Sequence, residues 1–119
     1  MGSELHDLGK LDEAERILHQ ALDLDSRFHL AWAQLGLVMG AREEFEKAAY
    51  CFEQAASISL DKSVYTMLAN MQLAFDPWSA ATNARQALSF DPGWEEASRV
   101  LATAQKEIAR RQVEEPHED

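Results

Sequence analysis

Residues 32–55 read WAQLGLVMGAREEFEKAAYCFEQA, and the order of large and small side chains in this stretch decides the fold. Apolar or small residues recur at Trp32, Leu35, Gly36 and Met39, and again at Ala48, Phe52 and Ala55. Steps of three and four place such residues on one face of an α-helix. Gly40 to Glu44 interrupts the two sets, so the stretch reads as two helices joined by a short turn. Gly36 and Ala48 are small enough to let paired helices approach closely, while Trp32, Leu35 and Phe52 fill the space around them. No period-two alternation competes, and no strand is expected.

The same pattern returns along the chain. Trp32, Tyr65 and Ser98 stand 33 residues apart, as do Leu35, Leu68 and Leu101, and Gly36, Ala69 and Ala102. A second column runs Ala14, Ala48, Ala80 and Ala21, Ala55, Ala87, spaced 34 and then 32, with Leu18, Phe52 and Ala84 between them. Two helices alternate in each period. Breaks fall at Gly9-Lys10, Asp25-Ser26, Gly40, Asp61-Lys62, Asp76-Pro77 and Asp91-Pro92-Gly93, which places helices at 3–8, 11–24, 28–40, 44–58, 62–75, 77–90 and 92–112. Both Asp-Pro pairs are expected to start helices, because the carboxylate accepts from free N–H groups and proline lacks only an N–H that would go unused.

Trp32-x-x-Leu35-Gly36-x-x-Met39 followed by Ala48-x-x-x-Phe52-x-x-Ala55 resembles a tetratricopeptide repeat (TPR), a helix-turn-helix unit of 34 residues. The resemblance implies an all-α solenoid of antiparallel helix pairs, a TPR-like superhelix closed by a C-terminal capping helix. Its divisions are a truncated first repeat at 1–27, a second at 28–61, a degenerate third at 62–91, the capping helix at 92–113 and an acidic tail at 114–119 expected to be disordered. The third copy departs from the pattern: Phe75-Asp76-Pro77-Trp78 replaces the usual glycine-containing link, and its second helix is rich in alanine.

In proteins of this kind, a second stripe on each first helix lines a concave groove that takes a peptide or a partner helix. Here that stripe is Leu30, Ala33 and Leu37, flanked by Gly40 and Ala41. One period on it is Ser63, Thr66, Asn70 and Leu73, and then Glu96, Arg99, Thr103 and Lys106. The candidate partner-binding residues are therefore Leu30, Ala33, Leu37, Thr66, Asn70, Arg99 and Thr103, apolar at one end and polar at the other. An ion pair of Arg99 with Glu95, four residues before it, is the competing reading of that arginine. Chaperone-binding members grip a C-terminal carboxylate with lysine, asparagine and arginine. The matching positions here hold Ala33, Leu37, Met67, Glu96 and Val100, so that clamp is absent.

Charge and composition exclude other classes. The 119 residues carry 21 acidic and 11 basic groups, a formal charge of −10, which argues against nucleic acid and anionic membrane surfaces as partners. No run approaches the roughly 20 apolar residues needed to span a bilayer. Cys51 is the single cysteine, which suits a reducing, cytoplasmic setting. Set between Tyr50 and Phe52 with no activating base nearby in sequence, it reads as a packed thiol. His6, His19, His29 and His117 show no ligand spacing, and no cofactor or metal is implied. Asp12, Glu43, Glu95 and Glu107 each precede a Lys or Arg by four residues and read as helix-surface pairs.

Together these features point to a non-catalytic scaffold or adaptor that binds a peptide or amphipathic helix of another protein. The alternative is a self-associating or obligate subunit of a complex, its apolar stripe closed by another chain. A regulatory fragment of a larger enzyme ranks third.

Overall fold

A computed structural model describes residues 2–114, with side chains from 9 to 113; the tail expected to be disordered lies outside the described residues from 115 onward. Six helices account for the fold: α1 (Gly2–Leu24), α2 (His29–Ala41), α3 (Phe45–Ile58), α4 (Lys62–Gln72), α5 (Pro77–Phe90) and α6 (Glu95–Glu114). The architecture is all-α, built of packed helix pairs, and divides between Ser59 and Leu60 into two compact units.

In the first unit α2 packs against both α1 and α3. The small-to-large pairing read from the sequence is its centre. Phe52 has no exposed surface, and a Cβ added to Gly36 would lie 2.8 Å from its ring carbons. Ala48 and Ala55 are equally sealed, while Trp32 sits partly buried, its Nε1 donating to the Ser26 carbonyl at 2.9 Å and its ring edge-on to Tyr50. Reversal between α2 and α3 depends on Glu43, whose φ of 62° is the one left-handed non-glycine backbone among the described residues. The conformation brings the Glu43 and Glu44 N–H groups onto the Gly40 and Met39 carbonyls at 3.0 and 2.9 Å, satisfying the open end of α2.

In the second unit α5 packs against α4 and α6, and α4 also meets α6. Its core is Ala69, Ala80, Ala81, Ala84, Val100 and Ala104, with Leu73, Leu101 and Ile108 around it. Aromatic volume lies further out, where Tyr65 stacks on Phe90 at 5.9 Å between centroids. Asp61 caps α4 by accepting from the Ser63 N–H at 2.8 Å, and Asp76 caps α5, accepting from both the Ser79 N–H and hydroxyl with Pro77 in the first turn.

Three local expectations are corrected. Gly9 does not break the chain: α1 runs through it, because a lone glycine costs a helix only about 1 kcal/mol. Asp91-Pro92 does not start α6. Asp91 instead closes α5, its N–H on the Ala87 carbonyl, and its carboxylate turns the loop by accepting from the Gly93 N–H at 3.2 Å, so α6 begins at Glu95. The surface pairs also choose other partners. Arg42 takes both Asp12 and Glu15, Lys47 takes Glu44, and only Glu107 keeps its expected partner Arg111, with Arg110 added.

Candidate functional site

The second unit holds a cavity of about 380 Å³ between α4 and α6. α4 contributes Thr66, Met67 and Asn70, with Leu73 at its C-cap, and α6 contributes Glu96, Arg99, Val100 and Thr103, each set falling at helical spacing on one face. The four polar residues singled out on these helices, Thr66, Asn70, Arg99 and Thr103, all line it.

Their free valences differ. Thr66 is buried, and its hydroxyl both donates to the Lys62 carbonyl at 2.7 Å and accepts from Trp94 Nε1 at 3.0 Å, so it braces the wall. Thr103 donates to the Arg99 carbonyl at 2.9 Å and keeps its acceptor lone pairs for a ligand. Asn70 and Arg99 are exposed, and among the described residues neither side chain has a hydrogen-bond or ion-pair partner. The expected Glu95 to Arg99 pair does not form. Arg99 thus presents its donors at the cavity together with the Asn70 amide and the Glu96 carboxylate, over an apolar floor that includes Val100.

Leu30, Ala33 and Leu37 lie on α2 in the first unit. A helix apolar all round is normally buried, yet here one face is sealed by Ala31, Leu35, Val38 and Met39 while Leu30 and Leu37 stay 54% and 49% exposed. Ala33 is partly buried between them.

A second cavity, about 490 Å³, opens in the first unit where Glu15 and His19 of α1 meet Trp32, Leu35 and Met39 of α2 and Tyr50 and Cys51 of α3. Sequence reading missed it, having assigned the α2 residues wholly to packing, because nothing in a periodic pattern reports how tightly a neighbouring helix closes. Cys51 is buried, and that burial, with the Glu15 charge adding to it, pushes its thiol up to about 11. It therefore stays protonated and poorly nucleophilic. No helix among the described residues is long and apolar enough to cross a membrane, and no group of three or more metal-ligating side chains occurs among them.

Solved structures share this fold. YrrB, described as a TPR protein with an unusual peptide-binding site, superposes with a TM-score of 0.74 at 22% identity over 86% of this chain and 54% of its own. The Sgt2 TPR domain from Aspergillus fumigatus gives 0.77 at 20% identity over 99% of this chain and 82% of its own. The chain has the tetratricopeptide-repeat fold. PcrH, solved in complex with the chaperone binding region of PopD, matches as well, with a TM-score of 0.71 at 20% identity over 92% of this chain and 87% of its own. No protein-family profile and none of the curated proteins match the chain. Met67 and Glu96 are exposed and Val100 is buried.

Proposed function

We propose that this chain is a non-catalytic protein-interaction scaffold whose α4–α6 cavity takes a peptide or helix segment of a partner protein. The observation that carries this reading is the convergence of Arg99, Asn70 and Thr103, with bonding capacity left over, on one cavity that Met67, Leu73 and Val100 make partly apolar and that Glu96 also lines. Such a site suits a carboxylate or backbone carbonyl beside an apolar side chain. The peptide-binding site of YrrB and the PopD region held by PcrH lend support by showing protein ligands on the same fold. Leu30 and Leu37 form an apolar contact surface on α2. Their exposure also supports a second reading, in which another chain closes that stripe in a complex.

Panning a displayed peptide library against the chain tests the cavity. Selected peptides are expected to share an acidic group or chain terminus next to an apolar residue. Arg99→Glu should weaken them about tenfold or more, the scale of one lost charge-assisted hydrogen bond. Peptides that bind Arg99→Glu and Asn70→Ala as well as the wild type would remove the cavity from the reading.

A further inference from the structure

We propose that the chain associates head to tail with a second copy of itself, α1 of one copy packing on α6 of the next. Each complete helix pair joins a first-helix column to a second-helix column. Ala48, Phe52 and Ala55 on α3, and Ala80, Ala84 and Ala87 on α5, all have 0% exposure, and Leu35, Gly36, Leu68 and Ala69 opposite them are buried. α1 carries the same second-helix column at Ala14, Leu18 and Ala21, but there it is only partly covered, and Ile17 on that face is 50% exposed. α6 carries the first-helix column at Ser98, Leu101 and Ala102, and Ser98 and Ala102 are exposed. The chain thus leaves over one half of a pair on each of two helices, and the halves are of opposite kind.

Size and charge both select this pairing over a symmetric one. Column alignment sets Leu18 against Ala102, large against small as Phe52 is against Gly36, whereas α1 on α1 would oppose leucine to leucine. Antiparallel packing in that register brings Glu13, midway along α1, beside Lys106, midway along α6; both are exposed and neither has an ion-pair partner among the described residues. The charge of −10 on each copy opposes contact, but at physiological salt it is screened beyond about 8 Å. Because donor and acceptor faces differ, each contact joins unlike surfaces, α1 of one copy to α6 of another.

Light scattering over a concentration series of the whole chain tests this. The average mass is expected to climb from 13.4 kDa with concentration, to be held at the monomer value by Ala102→Glu with helical circular dichroism unchanged, and to be indifferent to Leu37→Glu. A second measurement stands if Ala102→Glu misfolds. Leu18→Cys and Ala102→Cys chains, each also carrying Cys51→Ser, should form a mixed disulfide faster than Leu18→Cys does with Arg85→Cys on α5. A mass of 13.4 kDa up to the solubility limit, self-association abolished by Leu37→Glu but not by Ala102→Glu, or equal cross-linking rates would each overturn the proposal.

Discussion

In the first unit the column positions set the ring of Phe52 against Gly36, whereas in the second the same positions bring Ala69 into one cluster with Ala80 and Ala84. One repeat pattern is thus closed in two ways. A ring filling the groove over glycine concentrates the packing in one side chain, and α1 is tied on by Arg42 with Asp12 and Glu15. Alanine against alanine lets the backbones approach instead, and the second unit adds polar ties at its edges. Lys62 meets Asp91 at 2.6 Å and lies 4.2 Å from the Trp94 ring centroid, and Asn83 donates to the buried Gln72 at 2.7 Å. The fold tolerates the exchange because what must be conserved is filled volume, not any one residue.

Breaking the ring shows the largest effect. Phe52→Ala is expected to cost about 3–5 kcal/mol, since it empties a fully sealed site, while Ala84→Gly in the matching place costs about 1 kcal/mol. Urea unfolding of each variant measures both. Comparable losses from the two substitutions would mean that the centres are not packed differently.

Glycine-to-alanine changes sharpen the same contrast within one unit. At Gly36 the new methyl would sit 2.8 Å from a ring with no exposed surface, so overpacking of about 1–3 kcal/mol outweighs the roughly 1 kcal/mol gained in helix propensity. At Gly9 nothing lies within 4 Å, and the same substitution should stabilise α1 by about 0.5–1 kcal/mol. Melting temperatures of the two variants should move in opposite directions.

Acid separates the units without changing stability at neutral pH. Asp76 is held below the usual carboxylate range by its hydrogen bonds from Ser79, Asp91 by its bond from Lys62, and Glu107 by those from Arg110 and Arg111. All three lie in the second unit. Carboxyls depressed in the folded state contribute stability above their unfolded value near pH 4, and that contribution disappears as pH falls through the lower folded values. Fluorescence of single-tryptophan variants retaining Trp94 or Trp32 should therefore show the second unit responding at a higher pH on acidification. Coincident transitions would mean that these carboxyls do not set the acid response.

Periodicity by itself determined the helices and the two packing columns, from Trp32 and Phe52 to Ala69 and Ala84, because burial of a helix face is written in steps of three and four whatever the neighbour. The family resemblance, carried from repeat to repeat, picked Thr66, Asn70, Arg99 and Thr103 as groove residues, and these four line one cavity. Tertiary structure decided the rest. Gly9 looks like a turn and is helix, while Glu43, 34 residues on in the same column, takes the left-handed backbone that glycine would suit better. Arg42 reaches across to α1 instead of pairing along its own surface, and Arg99 is left unpaired beside a cavity. The Thr66 hydroxyl is taken by Trp94, 28 residues away. Local sequence sets what a residue can bond to, but which candidate arrives within 3 Å depends on how the helices pack, and that geometry is fixed only when the whole set of faces is buried together.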